Sequence, residues 1–520
     1  MIVFETSEHI GDRLPKRFRL IIMLGSFALL AMVQLSLLQH DYVALEALRQ
    51  WADVMMVWQA EEVARNTMVL LFPPIPYGVL VALHAIPLLG GPSTPYLLDN
   101  VAVAAVVGTL AGSVYRRSQS IPWSLLLGAL VLFNPLVVWI ATSGEGHGVL
   151  FGAYYLLSAA ILRLKLVPDV RTQIGLSAAL VFLALCDIRF LFIVVALIPM
   201  IAVMGEPGTI EKSAGAYYFV ALFAPVAVLL SHAYLNWIFL DDPLAFIRHV
   251  DAPFRGAAAM GSQFSWLRDY GGSLLKPMIV ALGFTAVCAP LALFVLPPLM
   301  LARRLAFSAL VISIAIPMIA LGLATATSYS PHPAPFVALV IAPTIQSAVL
   351  VLERWGRRVI VATFLAVGAL GGWTLMTWRP TEQMARWRTA LVRPVPITSA
   401  TELALGRWLQ TNQEETLLDD RHAFPAIIAR GSARGLLLPP SEDFKMAVVT
   451  GRPEATQIAV PEPSSAAARG DRLARALPTL FEHGRPGYVL AYDGPGWRVY
   501  RSSRPHANAK LSLVKLGSGR

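Results

Sequence analysis

Charged residues and cysteines are both scarce in this 520-residue chain. Asp, Glu, Lys and Arg make up 14% of it, whereas soluble proteins carry about a quarter. Hydrophobic residues make up 56%, and the mean hydropathy is +0.61. This composition excludes a soluble surface over most of the chain. The two cysteines, Cys186 and Cys288, lie inside apolar runs, which favours small core residues over a disulfide or a metal pair.

Several catalytic and ligand-binding motifs are also lacking. The sequence has no Gly-rich phosphate loop, no zinc-ligand spacing and no catalytic-triad spacing. Its net charge of +10 would suit nucleic acid, but no run alternates basic and aromatic residues. Basic residues instead fall in short loops between apolar runs, as in membrane proteins. We therefore expect membrane lipid and no nucleic acid as partner. The cofactor is left open, because a divalent cation is compatible with the sequence but none is implied.

Long apolar runs are abundant, and each is close to the ~20 residues that cross a bilayer as a helix. They predict a polytopic α-helical membrane protein of about 11–12 transmembrane helices. The first run follows a basic stretch and has no cleavage site after it, which indicates a retained span. The predicted spans are 20–38, 97–115, 121–140, 148–164, 173–187, 189–204, 214–240, 278–301, 306–325, 337–352 and 359–376.

The apolar stretch 68–90 is broken by four prolines, and basic loops decide whether it crosses the membrane. If it does not, the loops near Arg116, Arg163, Arg303 and Arg357 share the side of the basic N-terminus, as the positive-inside rule requires. If it crosses, all four lie outside. The rule favours a re-entrant or surface-lying 68–90, a cytoplasmic N-terminus and a C-terminus outside the cytoplasm.

Two domains follow from this topology. A transmembrane domain over 1–377 carries two large outer loops, 39–96 and 241–277. The first loop contains an amphipathic pattern over 42–65 that predicts a surface helix. From 395 to 520 the long apolar runs stop, and short strand-like and helical runs predict a soluble α/β domain. It ends in two strand-like runs joined by Asp493-Gly494-Pro495-Gly496, a hairpin signal.

Acidic residues near the ends of spans are candidates for chemistry, because charge within a membrane is costly. Asp41 follows the first span and could instead cap the amphipathic helix. Asp53 could lie on the solvated face of that helix. Glu145 stands in "SGEGHG", where glycines permit a sharp turn, and an ordinary polar turn is the alternative.

Two further positions could bind a phosphate group. Arg189 has the planar donor fork that suits phosphate, although a local ion pair with Asp187 is an equally simple explanation. Tyr329 and His332 lie in "SYSPHPAP", where three prolines forbid a regular helix. They could face a lipid phosphate, or the segment could be a rigid loop with an interfacial aromatic residue.

The order of these features resembles the integral-membrane glycosyltransferases of GT-C architecture. These include the protein O-mannosyltransferases and the aminoarabinose transferases of lipid A. The shared features are a first span, an acidic outer loop, "FPPIPYGVL", a span ending in Arg116-Arg117, "NP…SGEGHG", a late Pro-rich turn and a soluble C-terminal domain. His40-Asp41-Tyr42 stands where many members have an Asp-Glu pair, and Tyr-Ser-Pro-His where many have Arg-Tyr.

The resemblance implies roles for these residues. Asp41, with Asp53 second, would act as base or orient the acceptor, and Glu145 matches a further acidic position. Tyr329 and His332 would bind the donor's lipid phosphate, with Arg189 as a further candidate. No metal ligands are assigned.

The resulting hypothesis is a bacterial inner-membrane glycosyltransferase. It would transfer a sugar from a polyprenyl-phosphate donor to a lipid, glycan or protein acceptor on the outer face. The alternative is a non-catalytic transporter or scaffold of an envelope polysaccharide system. A transporter places polar residues near the bilayer centre, whereas here most lie at the ends of spans, which favours the enzyme. Asp99 is the nearest exception.

Overall fold

The computed structural model describes residues 13–59, 73–86, 90–187, 189–205, 207–244, 275–326, 332–378 and 380–503. Helices dominate, and a small sheet lies near the C-terminus. The first helices are α1 (Arg13–Gln39), α2 (Leu45–Gln59), α3 (Pro74–His84), α4 (Thr94–Ser118), α5 (Ile121–Leu132), α6 (Pro135–Thr142), α7 (His147–Leu166), α8 (Val170–Cys186), α9 (Phe190–Met204) and α10 (Pro207–Leu240).

The second half of the apolar region continues in the same way. It contains α11 (Leu275–Cys288), a short π-helix (Leu291–Val295), α12 (Leu296–Met300), α13 (Arg304–Ala326), α14 (Ala334–Val349), α15 (Trp355–Thr377) and α16 (Glu382–Ala390). The remaining elements are α17 (Ala400–Thr411), β1 (Thr416–Leu417), α18 (Asp420–Arg430), β2 (Leu436–Leu437), α19 (Glu442–Thr450), β3 (Gln457–Pro461), α20 (Ala466–Gly470), α21 (Arg472–Ala476), α22 (Leu480–His483), β4 (Tyr488–Gly494) and β5 (Trp497–Ser502).

Every predicted span coincides with a helix or a bent pair of helices. In the described residues six helices are long and apolar enough to cross a membrane, or eight if each bent pair is one span. The predicted spans 173–187, 189–204 and 337–352 form shorter apolar helices. The polytopic helical fold predicted from the sequence is confirmed, and the chain is a multi-pass membrane protein.

Prolines explain the two bent spans. The helices α5 and α6 meet at 65° where Asn134 precedes Pro135, and the Asn134 side chain accepts a hydrogen bond from the Leu136 N–H. The second bend, of 91°, lies between α11 and α12, next to Pro290. Proline lacks the N–H that a continuous helix needs, so these sequences bend the backbone within the apolar layer.

The chain divides into two compact units. The first contains residues 1–44, 72–76 and 95–395, and the second contains 45–71, 77–94 and 396–520. The first unit holds α1, α4–α16 and one large apolar core, to which Trp139, Phe151 and Phe336 contribute buried rings.

One end of the first unit is rich in arginine. Glu353 forms ion pairs with Arg117 and Arg303. Arg303 also donates to the Leu350 carbonyl at 2.6 Å, and Arg358 donates to the Ser118 carbonyl at 3.3 Å. Three of the four basic loops found in the sequence therefore meet here. We refer to Arg117, Arg303, Glu353 and Arg358 as the Glu353 end.

The opposite end of the first unit lies about one bilayer away. Asp99 is near the start of α4 and Arg117 near its end, 18 residues later. At 1.5 Å per residue they are separated by about 27 Å, close to the ~30 Å of a hydrocarbon core. We refer to Asp99 and its neighbours Glu145, His147, Asp187 and Arg189 as the His147 end.

The second unit is built on a five-stranded sheet of order β2-β1-β3-β5-β4. β1 is parallel to β2 and β3, whereas β5 is antiparallel to β3 and β4. The predicted C-terminal hairpin is confirmed, with Gly494 opposite Trp497. Helices cover the sheet, and Leu405, Ile427 and Trp497 are buried in one of its cores.

Part of the predicted first outer loop folds into this second unit. The helix α2 shares a core with α17 and α18 through Met56, and the Gln59 side chain accepts a hydrogen bond from the Ala433 N–H at 2.7 Å. Trp58 donates to the Val81 carbonyl of α3 at 3.0 Å. With 11 residues, α3 is about 16 Å long, half of what a crossing requires.

Candidate functional site

Asp99 organises the turn that carries Glu145. Its carboxylate is buried and accepts hydrogen bonds from the backbone N–H groups of Gly146, at 3.1 Å, and Val149, at 2.9 Å. These groups open helix α7 and have no partner within that helix. A carboxylate is favoured there by the helix dipole as well. Asp99 therefore fixes the start of α7 from a neighbouring helix, and it lies at the end of the bundle.

Two glycines let this turn pack tightly. Gly144 has a φ of 74°, and a Cβ atom at this position would lie 2.3 Å from the ring of Tyr96. A Cβ atom on Gly148 would lie 2.8 Å from Asp99. Larger residues would push Tyr96 and Asp99 away from the turn, so the close approach of α4 requires glycine at both positions.

His147 links an acidic and a basic side chain. Its Nε2 atom lies 2.9 Å from Oε2 of Glu145, and its Nδ1 atom lies 2.6 Å from Nη1 of Arg189. The ring also packs against Trp139, with centroids 5.0 Å apart. Trp139 and the helix start hold the imidazole between its two partners.

The chemistry of the partners fixes the tautomer of His147. A guanidinium has only donors, so Nδ1 must accept the hydrogen bond from Arg189. The Nε2 atom then carries the proton and donates a hydrogen bond to Glu145. His147 is thereby a neutral bridge that orients the Glu145 carboxylate and connects it with the charge of Arg189.

Asp187 holds Arg189 in place. The guanidinium forms a bidentate pair with this carboxylate, with Nε–Oδ1 at 2.8 Å and Nη2–Oδ2 at 2.5 Å. The Arg189 backbone N–H also donates to Asp187. The Arg189 and Asp187 side chains are 12% and 9% exposed, and Glu145 is 23% exposed. Glu145 is thus the most accessible carboxylate of the connected group.

The segment after the first span packs beside the Glu145 turn. The Tyr42 hydroxyl donates to the Ser143 carbonyl at 3.2 Å, and the buried Tyr42 ring lies 6.0 Å from the Arg386 guanidinium carbon. Burial, then the negative charge of Glu145, raises the pKa of Tyr42. Tyr42 therefore stays a neutral donor, and Arg386 is a further cation near Glu145.

The helix α16 anchors this arrangement. The Trp387 indole N–H donates to the Thr142 hydroxyl at 3.0 Å. The His40 Nδ1–H donates to the Ala390 carbonyl at 2.5 Å, and the Val395 N–H donates to the His40 carbonyl. Residues 40–42, 142–143 and 386–395 are thereby connected at the His147 end.

Asp41 and Asp53 lie in different settings. Asp41 is exposed, with a φ of 60°, next to the buried Tyr42. It precedes the first residue of α2 by four positions, so it does not cap that helix as the alternative proposed. Asp53 lies on α2 in the second unit, where its carboxylate accepts a hydrogen bond from the Tyr77 hydroxyl at 3.0 Å.

The late turn is described only in part. His332 caps helix α14, because its Nδ1 atom accepts a hydrogen bond from the Ala334 N–H at 3.1 Å. Tyr329 lies outside the described residues, as do 245–274 of the second predicted outer loop. The roles of Tyr329 and His332 stay predictions.

Sequence reasoning placed Glu145 and Arg189 separately, and the structure brings them together through His147. The ion pair with Asp187, considered as the alternative for Arg189, is present. Asp99, Tyr42 and Arg386 were missed as site residues. Asp99 carried a signal, since it is an acid within an apolar run, whereas nothing in the sequence near Arg386 indicated a site.

Within the described ranges, no group of three His, Cys, Asp or Glu side chains is arranged to hold a metal ion.

Comparisons with known proteins identify the fold. No protein-family model and no curated protein sequence match the chain. ArnT from Cupriavidus metallidurans bound to undecaprenyl phosphate is similar in structure, with a TM-score of 0.54 and 13% identity over 92% of this chain and 97% of that chain. The apo form of the same protein gives 0.51 and 14% over 91% and 96%. ArnT is a GT-C aminoarabinose transferase, so the GT-C architecture expected from the resemblance is confirmed as the fold of this chain.

Proposed function

We propose that this protein is a glycosyltransferase that takes a sugar from a polyprenyl-phosphate donor. The observation that carries the proposal is the Glu145–His147–Arg189 connection at one end of a GT-C fold. A similar fold is known with undecaprenyl phosphate bound. A polyprenyl donor needs a reaction site at the membrane boundary, where its tail stays in hydrocarbon and its phosphate meets polar groups.

The proposed reaction is a displacement at the anomeric carbon. Glu145 accepts the proton of an acceptor hydroxyl or amine, whose oxygen or nitrogen forms a bond to the anomeric carbon. The bond between that carbon and the phosphate oxygen breaks, and polyprenyl phosphate leaves with the electron pair. General-base catalysis of this kind contributes about 10²–10⁴-fold, and nearby cations stabilise the charge on the phosphate.

Each site residue has a proposed part in this reaction. Glu145 is the base, and Asp41 orients the acceptor, with Asp53 as the second candidate. His332 and Tyr329 contact the donor phosphate. Arg189 fixes Glu145 through His147 and adds positive charge near the leaving group.

The proposal includes an orientation in the membrane. The arginines of the Glu353 end support a cytoplasmic location for that end, by the positive-inside rule. The His147 end and residues 395–520 would then face the periplasm or the exterior of a bacterial inner membrane. The acceptor is a lipid, glycan or protein on that side, and the C-terminal domain is proposed to be soluble there.

Binding of undecaprenyl phosphate to the purified protein in detergent tests the donor assignment. We expect saturable binding that His332→Ala weakens about tenfold, as for loss of one hydrogen bond to a charged group. Arg171→Ala, at an exposed residue in the first turn of α8 and at the opposite end of that helix from Asp187, is the matched control and should leave binding unchanged. Glu145→Gln should bind the lipid normally but lose transfer from undecaprenyl-phosphate sugars.

One result would refute the donor assignment, and another would refute Glu145 as the base. If the folded protein does not bind undecaprenyl phosphate, the donor assignment fails and the transporter or scaffold hypothesis takes its place. If it binds the lipid but Glu145→Gln retains full transfer, the base is a different residue, and Asp41→Asn is the next variant to measure.

A further inference from the structure

A cavity of about 720 Å³ lies near the Glu353 end, away from the proposed reaction site. Its wall combines the end of α7 (Leu166), the end of α14 (Leu350) and the turn between α12 and α13. That turn contributes Leu301, Ala302, Arg303, Arg304, Leu305 and Ala306. The cavity is therefore a mostly apolar recess whose lining includes two arginines.

The two arginines differ in their hydrogen bonds and ion pairs. Arg303 donates to the Leu350 carbonyl and pairs with Glu353, so it is part of the framework. Arg304 is exposed and has no hydrogen bond or ion pair with any residue in the described part of the chain. Arg304 can therefore offer its donor fork to an anion.

Two leucines of the apolar wall are exposed at the surface of the bundle. Leu301 and Leu305 are 63% and 53% exposed. Trp355 is also exposed and packs edge-to-face with Trp123, with centroids 6.4 Å apart. Tryptophans at the first residues of membrane helices mark the headgroup level, so the arginines lie where lipid phosphates lie.

Charge at this end selects an anionic lipid. Arg116, Arg354 and Arg357 add to the positive charge, and Glu353 is already paired. We propose that this cavity binds the phosphate headgroup of an anionic glycerophospholipid, whose acyl chains lie against Leu301 and Leu305. Basic pockets between membrane helices bind such headgroups. The site is independent of the proposed transfer reaction and of the donor.

Native mass spectrometry of the full chain with phosphatidylglycerol tests this inference. Arg304→Gln should weaken phosphatidylglycerol binding about fivefold, as expected for one interfacial arginine. Arg304→Lys, which keeps the charge, should lose less. Arg171→Gln removes one exposed charge from the first turn of α8 and should change little. Phosphatidylcholine, which has no net charge, should bind more weakly to the wild type than phosphatidylglycerol.

Three outcomes would overturn it. Equal weakening by Arg304→Gln and Arg171→Gln would indicate diffuse attraction without a site. Equal binding of phosphatidylcholine and phosphatidylglycerol would indicate apolar contact alone. Displacement of phosphatidylglycerol by millimolar inorganic phosphate would indicate a free-phosphate site. Because Arg304 is exposed, its substitution should not prevent folding, which the elution profile of each variant checks.

Discussion

The two ends of the transmembrane bundle use charge in opposite ways. At the His147 end Asp99, Asp187 and Arg189 are buried or nearly so, and each is held by specific hydrogen bonds. At the Glu353 end the charged side chains are largely exposed, and their ion pairs join loops. Buried charges are tolerated only when fully paired, whereas exposed pairs add little to stability. The His147 end is therefore fixed by specific buried pairs, whereas the Glu353 end has the exposed basic loops that the positive-inside rule describes.

The largest expected effect concerns Glu145. We expect Glu145→Gln to lower transfer by about 10²–10⁴-fold while the thermal midpoint changes little, because glutamine can still accept the hydrogen bond from His147. Rates with an undecaprenyl-phosphate sugar and thermal unfolding measure the two effects. His483→Gln, a change on the short helix α22 of the second unit, is the control.

The same substitution at both ends tests the comparison directly. Arg189→Ala leaves the Asp187 carboxylate buried without its partner, which costs about 3–5 kcal/mol. Arg304→Ala removes an exposed side chain and should cost within about 0.5 kcal/mol. Thermal unfolding in detergent measures both. Equal midpoints for the two variants would contradict the distinction between a buried and an exposed end.

Tight packing at the His147 end gives the next largest effect. Gly144→Ala places a methyl group against Tyr96 and should cost about 1–3 kcal/mol beyond backbone strain. Gly146→Ala is matched, since Gly146 has a similar φ of 72° but open space around its Cβ position. The difference between their thermal midpoints isolates the clash. If both variants unfold together, packing against Tyr96 does not hold the turn.

The smallest effect is expected at Glu353. The hydrogen bond from Arg303, then the charge of Arg117, lowers the pKa of Glu353. A carboxylate with a lowered pKa stabilises the fold above its unfolded pKa, here near 4.5, and loses this contribution as the pH falls further. Glu353→Gln should therefore cost at most about 1 kcal/mol at pH 7 and less at pH 3. Unfolding at both pH values measures this, and an equal cost at both would exclude the ion pairs as the cause.

The sequence predicted much of the fold because membrane constraints are local. An apolar run of sufficient length must form a helix, since its backbone groups have no water to bond, and all eleven predicted runs do so. The C-terminal hairpin could also be predicted from local sequence, because turn residues separate two short strand-like runs. The sequence did not predict that α2 and most of α3 join the second unit, because contacts such as the Gln59–Ala433 hydrogen bond connect residues 374 positions apart.

In the candidate site, too, some features follow from local sequence and others depend on contacts between distant residues. The sequence by itself determined that Glu145 and Arg189 lie at ends of spans, because charge is excluded from hydrocarbon. Only the tertiary structure decided that His147 joins them, that Asp99 supports their turn and that Arg386 approaches Tyr42. These contacts depend on which helix ends become neighbours. That arrangement follows from side-chain packing across the whole bundle, which no short stretch of sequence contains.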